Sequence, residues 1–469
     1  GTDCYGQPLI DAAAKDQVGM SIVDEAVRRV LRAKFELGLF DRPFVDPDQA
    51  RPLIDDPAHR RLARRIAGKS MVLLSNDGAL PLKAGAGTIA VIGPNAHDGR
   101  NLYGDYTYPA HIESLIEMRS RENVFSIPLA EGLSPEHAIT NATTVFEALM
   151  ERLGPGVRYS RGCDVAGSST EGFAEAVALA AECDLAVMVM GDKAGLTEDC
   201  TSGEGRDRLT LDLPGVQEEL VRAVVATGTP VVLVLVTGRP GGSVWIHESC
   251  AAVLMAWLPG EEGAAAIVDV LTGEVNPGGK LPITHPRTVG QIPIYYGHKV
   301  SGGRSHWKGD YVDGPAAPLY PFGHGLSYTT FQIGNAVVTP DIVAWNGEVT
   351  VSVDLTNTGE RDGDEVVQLY VRDRDASVTR PVLELKAFTR VEVAPGDTKR
   401  VSFRLPVAQV GLYDRDMGYV VEPGVIEVMV GTSSRDLVEA GTFTVTPDPS
   451  GITPEKEFQG SVEIAATGG

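Results

Sequence analysis

Apolar residues recur along the chain with three different periods. Residues 21–40 carry Val23, Val27, Val30, Leu31 and Leu37 at helical spacing. Ser21 precedes an acidic first turn at Asp24 and Glu25, and Gly38 and Pro43 close the segment, so a long amphipathic helix is predicted. From about residue 59 to 286 short apolar runs at 88–93, 184–191, 230–237 and 251–257 alternate with helical patterns. Those helical patterns fall at 61–74, 142–152, 171–182, 214–227 and 261–272. Nearly continuous apolar runs suit strands covered on both faces, and the alternation predicts a largely parallel α/β sheet. Its ligand crevice is expected beyond the carboxyl ends of the strands, where Gly191 leads towards Glu204. Between 335 and 447 the period becomes two, over 348–357, 365–372, 398–405, 425–431 and 442–446. Turns at Asn357-Thr358-Gly359 and Ala394-Pro395-Gly396-Asp397 separate these runs, and a small antiparallel β-sandwich is predicted. Residues 287–334, rich in Gly, Pro, Tyr and His, read as a connector; loops of that length are often functional. The tail after Pro447 is polar and is expected to be disordered or truncated.

A chain of 469 residues is long enough for two or three domains with separate cores. A formal net charge of −22 argues against nucleic acid or an anionic membrane as partner, and leaves a neutral ligand such as a sugar unaffected. The five cysteines include no CxxC pair. Cys183 and Cys250 read as small core residues, and Cys163 and Cys200, in Gly-rich loops, are a possible pair. A reducing, cytoplasmic compartment is slightly favoured. No apolar run reaches membrane-spanning length. The start, Gly1-Thr2-Asp3-Cys4-Tyr5, reads as the middle of a longer protein, and helix 21–40 as part of a preceding domain.

The stretch Ser202-Gly203-Glu204-Gly205-Arg206-Asp207-Arg208 holds the strongest chemical signal. It sets one carboxylate between two glycines, which let a loop approach a ligand closely. A carboxyl group presented in this way suits a general acid. Arg206 and Arg208 are placed to orient a carboxylate or sugar hydroxyls, with Asp207 holding one of them. A solvated charged turn is the competing reading. The stretch 101–111, with Tyr103, Tyr106, Tyr108 and His111 among polar residues, suits the apolar faces and hydroxyl edges of sugar rings, Tyr106 being the preferred platform; a Tyr-rich surface loop packing on its own residues is the competing reading. Gly191–Gly195 and Leu258–Gly263 fit neither GxGxxG nor GxxxxGK[ST], and both carry acid where phosphate would be repelled. His298, His306 and His324 form no metal-ligand pattern, so they read as hydrogen-bonding loop residues, and neither a cofactor nor a metal is expected. No GxSxG elbow is present, which argues against a Ser hydrolase.

Several segments together resemble the C-terminal half of glycoside hydrolase family 3, the β-glucosidases and β-xylosidases. They are DEAVRRVLRAKFELGLF, MVLLSNDGALPL, IAVIGPNA, SGEGRDRLTLDLPGVQ, NPGGKLPITHPRTVGQIPIYY, LYPFGHGLSYTTF and DEVVQLYVRD, in family order. The resemblance implies a multidomain α/β plus β protein. Residues 1–45 would be the last helices of a TIM-like barrel, 46–286 a six-stranded α/β sandwich, and 287–334 a connector. A fibronectin type III-like domain would span 335–447 and a tail 448–469. Glu204 would be the general acid/base, with Tyr106, Arg206 and Asp105 binding substrate. The implied reaction is retaining hydrolysis of terminal non-reducing β-D-glycosidic bonds, β-glucosidase type. A β-xylosidase and a non-catalytic carbohydrate-binding fragment or subunit are the alternatives. The implied partners are an oligosaccharide or aryl β-glycoside and a barrel segment, in cis or as a separate chain; a homodimer is possible. The family's nucleophile, a barrel Asp, has no match here, and Asp3 is not assigned to it. The chain alone is therefore expected to be inactive.

Overall fold

The computed structural model describes residues 3–49, 56–83, 85, 87–119, 132, 134, 142–301, 309–447 and 455–466. The chain divides into two units, Gly1–Arg61 and Leu62–Gly469. The first contains α1 (Gln7–Ala14) and α2 (Met20–Glu36), neither with a buried residue. Helix α2 begins one residue before the predicted Ser21, and its chain reverses at Gly38, with φ +67°. The next helix, α3 (Pro57–Ser70), runs across the unit boundary.

The second unit opens on a six-stranded sheet of β1 (Val72–Asn76), β2 (Ile89–Ile92), β3 (Val157–Ser160), β4 (Leu185–Gly191), β5 (Val231–Val236) and β6 (Ala252–Met255), in the order β1-β6-β5-β4-β2-β3. Strands β2 to β6 are parallel, and β1 adds antiparallel to β6 at the edge. The intervening helices are α4 (Tyr108–Arg119), α5 (Val145–Leu153), α6 (Phe173–Ala181), α7 (Gln217–Val225), α8 (Val244–Ser249) and α9 (Gly263–Leu271). Every residue of β4 and β5 is buried because both sheet faces are covered. Val187 and Val189 join one core with α5 and α9, while Met188 and Met190 join the other with α6 and α7. Continuous apolar runs are the sequence trace of that double burial.

Two departures from the predicted elements have local causes. Helical spacing at 61–74 overran into β1, since α3 stops at Ser70 and the apolar Val72–Leu74 is strand. Strand β3 is missed because its burial alternates, with Arg158 exposed.

The sandwich pairs two antiparallel-rich sheets. One is ordered β11 (Glu384–Val393), β10 (Gly363–Asp373), β15 (Gly424–Gly431), β16 (Leu437–Val445), β8 (Ile342–Val343). The other is ordered β17 (Ser461–Ala466), β12 (Thr398–Pro406), β9 (Glu348–Asn357), β7 (Phe331–Thr339). A short hairpin, β13 (Leu412–Tyr413) and β14 (Tyr419–Val420), completes it. Val349, Val351, Val353 and Leu355 of β9 all point into the core, as the period of two requires. The polar tail is not wholly without structure: β17 pairs with β12 from Lys399↔Ala466 to Arg404↔Ser461. A buried ion pair, Lys280–Glu365 at 2.7 Å, and the bridges of Asp364 to Lys69 (3.0 Å) and Arg390 (2.8 Å) tie sandwich to α/β layer.

Candidate active site

In this strand order β2 and β4 are neighbours whose onward connections leave in opposite directions. Open α/β sheets bind ligands at such a switch point, outside the carboxyl ends of the strands. The loop after β2 carries Asn95, Asn101, Asp105 and Tyr106; the loop after β4 carries Asp192 and Glu204. Sheet order thus brings Tyr106 and Glu204, 98 residues apart, to one edge. The Tyr106 hydroxyl donates to Glu204 Oε2 at 2.6 Å. Both side chains are exposed, Tyr106 at 63%. The hydrogen bond to the carboxylate, then desolvation and the negative charges of Glu204 and Asp105, hold the Tyr106 phenol above its ordinary pKa. His111, one turn into α4, meets the Tyr106 ring edge-on at 6.1 Å.

The base of the Glu204 loop is fixed by buried polar groups. Asp192, 3% exposed, accepts from Thr201 Oγ1 at 2.8 Å and from Thr237 Oγ1, at the end of β5, at 2.5 Å. Asn95 Nδ2 donates to the Asp192 carbonyl at 3.2 Å, and Asn101 Nδ2 to Asn95 Oδ1 at 2.9 Å. Arg239 Nη2 donates to the carbonyls of Thr201 (3.3 Å) and Arg206 (3.1 Å), the two sides of the turn bearing Glu204. Arg100 grips Glu113 with two hydrogen bonds and reaches the Ala194 carbonyl at 3.0 Å. The glycines are needed for geometry. Gly203 has φ +129°, and a Cβ there would lie 2.3 Å from the Gly195 carbonyl oxygen and 3.1 Å from Asp105 Cβ. The result is a rigid pedestal with an exposed carboxylate at its tip.

Of the residues singled out in the sequence, Glu204, Tyr106 and Asp105 come together. Arg206 lies beside them, but its carbonyl, rather than its guanidinium, has a partner in the loop. Among the described residues Asp207 makes no ion pair with Arg206 or Arg208, because the three occupy an open, partly exposed turn; it does not hold either arginine. Cys163 and Cys200 are separate thiols, as are all five cysteines. Burial pushes the Cys163 thiol up to about 12. His324 and His298 bond to the carbonyls of Leu74 and Lys299, and His306 lies outside the described residues. Among the described residues no group of His, Cys, Asp and Glu could hold a metal ion, and no helix is long and apolar enough to cross a membrane. The sequence reading missed Asp192, Arg239 and Asn95. Their signal is positional: each is a polar residue within three positions of the carboxyl end of a buried strand.

Comparison with known proteins bears on this arrangement. Residues 71–328 match the glycosyl hydrolase family 3 C-terminal domain, and residues 365–434 a fibronectin type III-like domain. A β-xylosidase of Formosa agariphila is 40% identical over 91% of this chain and 56% of its own length. A periplasmic β-glucosidase of Salmonella typhimurium is 36% identical over 94% of this chain and 57% of its own. Among solved structures, the β-glucosidase of Listeria innocua in complex with glucose superposes with a TM-score of 0.78 at 31% identity, covering 95% of this chain and 58% of that one. The chain spans a little over half the length of the curated relatives it matches. With a family domain matched over more than half its residues, the chain belongs to glycosyl hydrolase family 3.

Proposed function

We propose that this chain supplies the general acid/base of a retaining β-glycosidase, and that Glu204 is that group. The observation carrying the proposal is the exposed Glu204 carboxylate, held at the switch point of the sheet and hydrogen-bonded by Tyr106 at 2.6 Å. The nucleophile would come from a barrel segment, in cis or as a separate chain, so this chain alone holds one half of the carboxylate pair. In the first step the barrel Asp attacks the anomeric carbon while Glu204 gives its proton to the leaving oxygen. In the second, Glu204 takes a proton from water as that water displaces the Asp from the sugar. Retention sets the two carboxyl groups about 5–5.5 Å apart. Tyr106 then serves two ends, as a ring face at the rim of the sugar site and as a donor to the ionised carboxylate in the second step. Asp105 and Arg206 stand beside it as candidate partners of sugar hydroxyls.

Glucose is the proposed sugar, supported by the β-glucosidases among the relatives and solved structures. The 40% identical β-xylosidase supports xylose as the second reading. The ratio of kcat/KM for matched aryl β-glucosides and β-xylosides separates the two. In the protein carrying both segments, Glu204→Ala is expected to lower turnover of glycosides with poor leaving groups by about 10²–10⁴, the usual worth of general acid catalysis. Azide should restore part of the rate as a glycosyl azide. Unchanged turnover by Glu204→Ala would remove Glu204 from the role.

A further inference from the structure

We propose that the cleft where the connector meets the β-sandwich binds an acidic saccharide, a sugar chain bearing a carboxylate, at a site separate from Glu204. The cleft has a volume of about 720 Å³, and its lining includes Tyr295, Tyr296 and Tyr311 together with Arg372 of β10 and Arg435 of the β15–β16 turn. That size falls within the range of about 300–1,000 Å³ typical of small-molecule sites.

Charge picks out the ligand. The chain has 63 acidic against 41 basic residues, yet among the described residues no acidic side chain lines this cleft. Lys299, also in the lining, is committed to the Thr379 carbonyl at 2.8 Å. Among the described residues the guanidinium groups of Arg372 and Arg435 make no ion pair and no hydrogen bond. Glu427, which stands opposite Arg372 in the register of β10 with β15, is taken by Arg374 at 2.8 Å and makes no ion pair with Arg372. In one adjoining recess Glu384 is already neutralised by Arg380 (2.7 Å) and Lys386 (2.9 Å); Asp373 and Asp375 line another, on the far side of Arg372. Two unpaired guanidinium forks match a carboxylate in shape and charge.

The aromatic residues supply the sugar-binding part. Tyr295 is 65% exposed and offers a ring face to the apolar C–H side of a pyranose. Tyr296 is stacked on Phe322 with centroids 4.5 Å apart and meets Tyr370 edge-on, so the cleft wall is set before any ligand arrives. The sugar portion of the ligand rests on the glycosidase reading; the anionic portion rests on the arginines alone.

Calorimetric titration of the whole chain tests this, using glucuronic acid-substituted xylotriose, unsubstituted xylotriose and free glucuronate. The substituted oligosaccharide is expected to bind about tenfold more tightly than either of the others, the worth of one charge-assisted hydrogen-bonded pair. Arg372→Ala and Arg435→Ala should each remove about that factor, Tyr295→Ala should weaken binding, and Glu204→Gln should leave it unchanged. Arg435 is exposed, so its variant keeps the fold, and Arg372→Lys separates fork geometry from charge. No binding, equal binding of the neutral sugar, equal binding of glucuronate alone, or full affinity in both arginine variants overturns the proposal. Loss of binding in Glu204→Gln would overturn it too, by placing the ligand at the acid/base site. Normal turnover by Glu204→Ala would defeat the catalytic reading and leave this binding result standing.

Discussion

Two groups of tyrosine and titratable side chains occupy the α/β layer and its connector, and the protein treats them in opposite ways. At the carboxyl edge, Tyr106 and Glu204 bond to each other in the open. Beneath the connector, Tyr320, His247, His285 and His324 pack ring against ring with centroids 4.9–5.7 Å apart. There the polar atoms are spent within the chain: His247 Nε2 on the Gly241 carbonyl at 2.9 Å, His324 Nε2 on Leu74 O at 2.8 Å. Burial pushes the Tyr320 phenol up to about 12 and the imidazoles down, His285 to about 3 with help from its two histidine neighbours. Strong perturbation therefore marks the structural group, and the functional candidate is the exposed carboxylate on a rigid base. Perturbed groups are candidates for function only when they also face a cleft.

The comparison breaks most visibly on truncation. Tyr320→Ala empties a site packed into the sheet core and is expected to cost about 3–5 kcal/mol of stability. Tyr106→Ala, at an exposed position, should stay within about 0.5 kcal/mol of the parent while weakening sugar binding. Urea midpoints for the two variants decide it, and similar losses in both would erase the distinction.

Acid should sharpen it next. The unfolded chain protonates a histidine near pH 6.5, whereas folded His285 stays neutral down to about 3. Its contribution is present above about pH 6.5 and is lost as pH falls towards 3, at about 1.4 kcal/mol per pH unit. By pH 5 His285 alone should remove about 2 kcal/mol, and His247 and His324, shifted the same way, add to that. Stability measured by urea unfolding from pH 7 to 5 should fall less steeply in His285→Gln.

The tip and the base of the candidate site were not equally legible in the sequence. Glu204 was readable because its glycines are adjacent to it, and Tyr106 because an aromatic among polar residues follows a strand end. Asp192, Thr237 and Arg239 were not, because their contacts join residues 9 to 45 positions apart that only the parallel register of β4 and β5 brings together. The same limit applies to the fold. Strands buried on both faces wrote themselves as apolar runs, and β9 as a clean alternation. Edge strands did not: β1 continued a helical pattern, β3 carries exposed Arg158, and β17 has all its residues exposed. Antiparallel addition of β1 likewise depends on a partner 176 to 183 residues away, which no local period encodes.

A smaller effect separates pedestal from tip within the Glu204 loop. Gly203→Ala would force a Cβ against backbone, the Gly195 carbonyl oxygen, so the loop must move. Gly205, with φ +69°, has open space around it. Gly203→Ala is expected to cost on the order of 1–2 kcal/mol, from strain and from displacement of the turn. Gly205→Ala should carry only the left-handed backbone penalty. Amide hydrogen exchange of Ser202–Arg206 should rise in the first variant and change little in the second; equal exchange in both would show that the pedestal does not depend on Gly203.

The smallest predicted effect isolates the contact itself and requires no turnover. Tyr106 donates to a carboxylate oxygen, and removing its proton would set a phenolate against Glu204 and beside Asp105. Ionisation is therefore delayed above the ordinary tyrosine range, and the hydrogen bond persists until pH passes that raised value. Glu204→Gln keeps the shape and removes the charge, so one tyrosine should titrate at lower pH than in the parent, with stability unchanged within about 0.5 kcal/mol. Tyr106→Phe should delete that same step from the phenolate absorbance curve in both backgrounds. If Glu204→Gln leaves every tyrosine step where it was, the two side chains do not meet in solution, and the exposed group at the sheet edge is a carboxylate without its tyrosine.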